Sequence, residues 1–355
     1  MFVLDSHCDT PSQILRLRDL SVDNHHAHVD FPKLKRGAVD GAFFALYIPG
    51  SKDTEEAFRY ACDLLVGVER SVAENRDQAS FAVNASEALN NKAKGLFSVF
   101  LGLENGSPIG DDLNRLKYLY DRGVRYITLC HSSNNQICDS CAPKEKRWGG
   151  LSPFGKELIA QMNSLGMLID VSHISDESFY DVLKYSTKPV VATHSCCRAL
   201  SDHPRNMTDD MIRALAAAGG VIQINFYPVF IDSTFTTVLA DSGLAEKGES
   251  VEAEFIADPA DDAKRKAWNR IQDEIQALPR PSYKLIADHI DHVVKLVGID
   301  HVGIGSDYDG IEVTPEGMED ISMMPKLFDE LRMRGYSETD LSKIASENFF
   351  RCMNG

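Results

Sequence analysis

Val3-Leu4-Asp5-Ser6-His7-Cys8-Asp9 is the stretch from which the fold can be read. An apolar run this short, closing on His-x-Asp, reads as a buried strand that delivers two metal-type ligands at its C-terminal end. Strand side chains alternate with period two, so His7 and Asp9 point to the same side. One such pair is equally compatible with a solvated turn or a helix cap. Its weight comes from recurrence along the chain.

Taken as strand one, Phe2 to His7 is followed by seven further candidates. Strand two, Gly41 to Ile48, is apolar on both faces, as a parallel strand covered by helices should be, and stops at Pro49-Gly50. Strand three, Gly95 to Leu103, closes on Glu104. Strand four, Val124 to Leu129, closes on Cys130-His131, and strand five, Met167 to Val171, on Ser172-His173. Strand six, Pro189 to Thr193, closes on His194. Strand seven, Gly220 to Asn225, closes on Phe226-Tyr227, and strand eight, His301 to Gly305, on Ser306-Asp307-Tyr308-Asp309-Gly310.

Helical patterns separate most of these runs. Thr54 to Glu74 carries Ala57, Tyr60, Ala61, Leu64, Leu65 and Val68 on one stripe. Asp111 to Asp121 opens with acidic residues that the helix dipole favours. Pro153 to Ser164 has proline near its first turn, and Asp176 to Tyr185 follows Ser175 as its cap. Ser337 and Asp340 stand at capping-box spacing at the head of a closing helix that runs to Cys352. The segment 228–281 differs in character, rich in charge and small residues, with an exposed helix expected near Ala260 to Ala277. No strand recurs inside it, so residues 1–355 read as one barrel with an insertion between strands seven and eight.

Eight strand–helix units with right-handed crossovers close into an α/β architecture, a (β/α)8 TIM-like barrel. A doubly wound open sheet is the alternative, but no Gly-x-Gly-x-x-Gly follows the first strand, and the polar strand ends are spread over the whole set. In a barrel all those ends meet at one mouth, where such enzymes keep their chemistry. His7, Asp9, Glu104, His131, His173, His194 and Asp307 would then share one rim. Nitrogen and oxygen donors in excess of what one zinc requires describe a catalytic site, whereas structural zinc closes with four, often cysteine-rich, ligands. With two metals one carboxylate must bridge, and Glu104 is the candidate because its strand reads as flanked on either side by histidine-bearing strands.

Each residue alone has a plainer reading. A histidine at a strand end is commonly a hydrogen-bonded rim residue, Asp307 fits turn chemistry in Asp-Tyr-Asp-Gly, and Arg205 fits a solvated loop. The joint pattern is what packing does not explain. Asn24-His25-His26-Ala27-His28 invites a metal reading as well, but nothing places these histidines on one face of an element, and they read as surface residues.

Composition narrows the function classes. The net charge of -16 excludes a basic footprint for nucleic acid or an anionic membrane. No run approaches the roughly 20 apolar residues of a membrane span, and no secretory leader is recognisable, so the expectation is a cytoplasmic protein with reduced thiols. Cys138-Asp139-Ser140-Cys141, near Cys130, has C-x-x-C spacing but lacks a clustered fourth ligand.

Asp5-Ser6-His7-Cys8-Asp9-Thr10-Pro11, Gly102-Leu103-Glu104-Asn105-Gly106, Asp170-Val171-Ser172-His173, Thr193-His194-Ser195, His203-Pro204-Arg205-Asn206 and Gly305-Ser306-Asp307-Tyr308-Asp309-Gly310 together resemble the membrane (renal) dipeptidase family. The resemblance extends to Asn348-Phe349-Phe350-Arg351, nearly the whole chain. It implies a zinc dipeptidase of the amidohydrolase-like barrels, with two Zn2+ per subunit and a metal-bridging hydroxide as nucleophile. His7 and Asp9 would hold one zinc, His173 and His194 the other, and Glu104 both. His131 would contact the substrate and polarise the peptide carbonyl, Arg205 would grip the C-terminal carboxylate, and Asp307 would be the acid/base. Tyr227 is a further substrate contact. The resemblance also implies a dipeptide substrate, tolerance of a D-residue at its C-terminal position, and a homodimer as one assembly state. No lipid-anchor tail is recognisable, so the expectation is a bacterial-type member without membrane attachment. Lactonases, phosphotriesterases and deaminase-like enzymes share such a barrel but commonly open with His-x-His and bridge through a modified lysine. A non-enzymatic metal-binding module would leave Asp307, His131 and Arg205 without a task.

Overall fold

A computed structural model describes residues 1–354. Nine strands form one parallel sheet: β1 (Leu4–Cys8), β2 (Gly41–Tyr47), β3 (Ala79–Phe81), β4 (Phe97–Glu104), β5 (Val124–Thr128), β6 (Leu168–Asp170), β7 (Val191–Ser195), β8 (Val221–Ile224) and β9 (Val302–Ile304). Eight follow one another around a barrel in the order β1-β2-β4-β5-β6-β7-β8-β9, and short β3 pairs with the first half of β4. The seam between β9 and β1 is closed by the segment that leaves β9. Asp307 N donates to His7 O at 3.0 Å and Asp9 N to Tyr308 O at 2.8 Å. The Asp5 carboxylate accepts from Ser306 N at 2.8 Å.

The lower half of the barrel is filled by aromatic rings. Phe43 and Phe100 stack with centroids 4.7 Å apart, and Tyr126 and Phe349 lie 5.1 and 5.2 Å from Phe43. A Cβ at Gly102 would collide with the Tyr126 ring, so glycine is what lets this ring cross the barrel. Phe349 and Phe350 come from the closing helix, which plugs the bottom with apolar side chains. Polar strand ends therefore have one outlet, the opposite mouth.

Outside the strands lies a helical layer whose apolar stripes face inward. The helix Thr54–Glu74 begins with a reciprocal capping box between Asp53 and Glu56 and buries Ala57, Ala61, Leu64, Leu65 and Val68. Ser152 and Ser175 cap the helices Pro153–Leu165 and Asp176–Tyr185 through their side chains. Among the described residues no helix is long and apolar enough to cross a membrane.

Several expectations are corrected. The chain between β8 and β9 forms the helices Pro228–Ile231, Ser233–Ser242, Leu244–Ala257 and Asp262–Gln276. The last of these is not simply exposed: Trp268, Ile271 and Ile275 bury one face against Phe235, Leu239 and Phe255. β7 starts two residues later than Pro189, whose ring lacks the N–H a ladder needs, and runs on to Ser195, so His194 lies within it and not after it. β4 is not flanked by histidine-bearing strands. Its neighbours are β2, which carries no histidine, and β5. Glu104 instead reaches His7 of β1, whose Nε2 lies 3.4 Å from its Oε2. The helix expected from Asp111 begins at Leu113, with Asp112 as its cap and no acidic residue in its first turn. Of the loop histidines, His28 is not a surface residue, since its ring accepts from Asp309 N at 3.0 Å and lies inside the loop.

Candidate metal centre and substrate cavity

Glu104 occupies the centre of the mouth. Its Oε2 lies 3.4 Å from His7 Nε2, while its Oε1 lies 3.1 Å from His173 Nε2, 3.4 Å from His194 Nε2 and 3.8 Å from His131 Nε2. Asp9 Oδ2 is 3.5 Å from His7 Nε2, and the Nε2 atoms of His173 and His194 face each other at 2.9 Å. Three overlapping groups of ligand atoms result: His7, Glu104 and His194; Glu104, His131 and His173; and His7, Asp9 and Asp307. Strands separated by up to three hundred residues thus bring all seven rim residues together.

The ring orientations are set from behind. His7 Nδ1 lies 2.8 Å from Tyr126 Oη, and His194 Nδ1 lies 2.8 Å from Thr193 Oγ1. With Nδ1 engaged in each case, Nε2 is the nitrogen left for the mouth. Thr193 is in turn held by Asp170, which accepts from Thr193 Oγ1 at 2.7 Å and from Thr128 Oγ1 at 2.5 Å. Asn225 Nδ2 donates to Asp307 Oδ2 at 2.8 Å. These positioning residues, Tyr126, Asp170 and Asn225, are not among those the sequence pattern singled out. Asp170, at the end of the otherwise apolar β6, and Asn225, just after β8, offered a polar residue at a strand end as their signal, while Tyr126 within β5 offered none.

Backbone conformation concentrates at the same rim. Asn105, His173, Asp307 and Asp309 all have positive φ, which side chains other than glycine adopt at a cost of about 1–3 kcal/mol. Gly310 must remain without a side chain, because a Cβ there would collide with Asp9 Oδ2 and sit 2.7 Å from Asp307 Oδ1.

Electrostatics marks the site as short of positive charge. Burial pushes Asp9 up to about 6, with Glu104 adding to the rise and His7 opposing it. Asp307 is pushed up to about 7, chiefly by burial, against the pull of His7. Burial disfavours the charge on His7, but Glu104 and Asp9 outweigh it and hold the ring well above its ordinary value. His131 is pushed down to about 3 by burial and by Arg205, and His173 and His194 fall well below the usual histidine range through burial first. His7 Nε2 and Asp9 Oδ1 are buried with no hydrogen-bond partner.

Above the centre lies a cavity of about 580 Å³ lined by Asp9, Glu104, His131, His173, Arg205 and Asp307 among others. Arg205 is buried, with Nη1 donating to Ser195 Oγ and Nη2 to His194 O, both at 2.8 Å, and its Nε has no partner. His131 Nδ1 lies 3.1 Å from Ser132 Oγ, and its ring packs edge-on to Tyr47. Tyr227 lines the cavity too, but its hydroxyl donates to Glu312. The Cys130, Cys138 and Cys141 thiols are free, and no cysteine enters a metal-ligand group among the described residues.

Comparison with known proteins bears on this geometry. The family described as membrane dipeptidase (peptidase family M19) matches residues 1–355. Dipeptidase aclJ of Aspergillus oryzae is 30% identical over 350 residues, covering 96% of this chain and 73% of the relative. Dipeptidase verJ of Clonostachys rogersoniana is 30% identical over 368 residues, covering 99% and 83%. The crystal structure of the probable dipeptidase PvdM from Pseudomonas aeruginosa superposes with a TM-score of 0.82 at 28% identity, covering 99% of this chain and 94% of that one. A metallopeptidase from Rhodobacter sphaeroides, liganded with a phosphinate mimic of L-Ala-D-Ala, shares the fold with a TM-score of 0.81 at 24% identity, covering 100% and 99%.

Proposed function

This chain belongs to the membrane dipeptidase family, peptidase family M19, and is a hydrolase of the metallo-dipeptidase type; from that premise we propose that it cleaves dipeptides with two zinc ions held by His7 and Asp9, by His173 and His194, and by Glu104 between them. The observation that carries this reading is the division of Glu104: one oxygen faces His7, the other faces His173 and His194. The donor set fits the ions. It consists of imidazole nitrogens and carboxylates, two of its atoms are buried without partners, and burial pushes the Asp9 carboxyl group upward. When bound, zinc would lower the pKa of a water toward neutrality and polarise the scissile carbonyl.

The remaining steps fall to the chain's own side chains. Asp307, its carboxyl held by Asn225 Nδ2 at 2.8 Å and grouped with His7 and Asp9, would take a proton from the attacking water and pass it to the departing amine. His131 is neutral near pH 7, so with Nδ1 turned to Ser132 it offers Nε2–H to the developing oxyanion. One such donor is worth about 3–4 kcal/mol in a pre-organised site. Arg205, anchored on the main chain of His194, presents its guanidinium to the free carboxylate one residue beyond the cut. That demand restricts the substrate to dipeptides. A D-residue at the C-terminal position belongs to the same proposal, because recognition through a carboxylate leaves the neighbouring side chain to a roomy cavity. We place the protein in the cytoplasm, in keeping with eight free thiols.

Hydrolysis of L,L and L,D dipeptides is to be measured on purified protein before chelation, after chelation and after zinc add-back, with bound metal counted. Loss with the chelator and recovery at two zinc ions per chain is the expected result. Hydrolysis that survives complete metal removal, or its absence in zinc-loaded protein, would overturn the reading.

A further inference from the structure

Tyr227, Glu252, Ile256 and Glu312 also line the cavity. Most charges around it are already matched. Arg16 Nη1 pairs with Glu252 Oε1 at 2.8 Å, and Arg18 Nη1 with Asp309 Oδ1 at 2.6 Å. Glu312 is different. Among the described residues no lysine, arginine or histidine nitrogen lies within 4.0 Å of it, and its side-chain donor is the Tyr227 hydroxyl. A phenol satisfies one carboxylate oxygen and supplies no positive charge. Burial holds Glu312 above its ordinary range, Tyr227 pulls the other way, and Glu252 and Glu249 add to the rise. The group is thus a half-buried carboxylate inside the substrate cavity with no cation paired to it.

Its position relative to Arg205 gives the cavity a polarity. The Arg205 guanidinium lies 5.6 Å from the centroid of the Phe230 ring, and the Phe230 ring meets the Tyr227 ring edge-on at 4.9 Å. Two aromatic rings therefore separate a cation from an anion along one wall. A ligand that lays a carboxylate on Arg205 and runs along these rings brings its far end to Glu312, and the apolar stem of a long basic side chain suits such a path.

We propose that Glu312, held by Tyr227 in the cavity wall, is a specificity-determining residue that selects dipeptides bearing a cationic side chain of the lysine or arginine type over those bearing an acidic one. The inference rests on the dipeptidase reading and extends it to a substrate class. A net charge of -16 acts in the same direction by drawing cationic substrates to the protein.

The test compares kcat/KM for Lys-Ala and Ala-Lys, the same peptides with the lysine Nε-acetylated, Glu-Ala and Ala-Glu, and Ala-Ala as the uncharged reference. In the zinc-loaded wild type, acetylation of the favoured lysine peptide should lower kcat/KM about tenfold, the worth of one charge-assisted contact. In Glu312→Gln that ratio should shrink to within about twofold of unity, with Ala-Ala as internal control. Dissociation constants of matching phosphinate dipeptide mimics, measured by calorimetry, should show the same ratio without turnover. The acetylation pair needs no variant, so an indifferent wild type overturns the proposal even if Glu312→Gln fails to fold. If Ala-Ala is cleaved but wild-type rates are indifferent to acetylation, or the preference survives Glu312→Gln, Glu312 is not the selector while the peptidase reading stands. If no peptide in the panel is cleaved, both fall.

Discussion

Tyr126→Phe removes one oxygen atom and asks how the metal-facing nitrogen of His7 is fixed. The hydroxyl lies 2.8 Å from His7 Nδ1, fully buried, with the two rings nearly parallel at 20°. For Nε2 to offer its lone pair to a cation, Nδ1 must carry the proton and Tyr126 Oη must accept it. Without that acceptor, the Nδ1–H would be buried without a partner and the competing tautomer would gain weight. Partners of this kind are worth about 10–100-fold in metal affinity, or roughly 1.4–2.7 kcal/mol. The effect on folding should be smaller. One buried hydrogen bond contributes about 1 kcal/mol, which in a chain of this size moves Tm by about 1–2 °C. Zinc affinity by chelator competition, beside a melting curve of the metal-free protein, separates the two effects. Weakened binding of one zinc with a nearly unchanged metal-free Tm is the expected result. Wild-type affinity for both ions would show that the packing of the Tyr126 ring, retained in the phenylalanine variant, orients His7 without help from the hydroxyl.

Three further perturbations address other parts of the site. Asp307→Asn should keep both zinc ions and lose about 10²–10⁴-fold in kcat, the range of general acid–base catalysis; metal-replete protein turning over at the wild-type rate would remove Asp307 from proton transfer. Arg205→Ala should raise KM about 30-fold or more for free dipeptides and hardly alter the already weak cleavage of C-terminal amides, since a guanidinium–carboxylate contact is worth about 2–5 kcal/mol; equal losses on both substrates would count against carboxylate recognition. Gly310→Ala inserts a methyl group against Asp9 Oδ2, and should destabilise the protein by about 1–3 kcal/mol and weaken zinc on the His7/Asp9 side; unchanged melting and metal content would mean that the rim yields freely.

The barrel is legible in the sequence because parallel strands buried on both faces read as apolar runs, unbroken in β2 and interrupted only by Ser98 before Glu104 in β4 and by Gln223 in β8. β3 escapes because three residues carry no period, and its pairing with the lower half of β4 is a tertiary event. The helices between β8 and β9 hide for another reason. Apolar residues such as Phe235, Phe255 and Trp268 are spaced through charged sequence, and each finds its partner on a different helix. The closing helix was visible from its Ser337–Asp340 capping box, but not the π-helical turn Lys343–Glu347 that rotates Phe349 and Phe350 under the barrel.

The limit of legibility at the site is clearest in two aspartates that look alike in the sequence. Asp9 and Asp170 both stand at the C-terminal edge of an apolar strand, and both are buried. Asp170 receives Ser172 N at 3.0 Å, Thr193 N at 2.9 Å, Thr193 Oγ1 at 2.7 Å and Thr128 Oγ1 at 2.5 Å, so each oxygen has two donors and the charge is solvated by the protein. Asp9 has a buried oxygen with no donor and Glu104 for company, and burial lifts its pKa to about 6. A folded protein keeps such a carboxylate only where something positive offsets the desolvation. Donor count therefore separates a carboxylate that holds the frame from one that awaits an ion. Donors drawn from β5 and β7 become countable only when those strands lie on either side of β6, and residue type and spacing alone cannot supply that number.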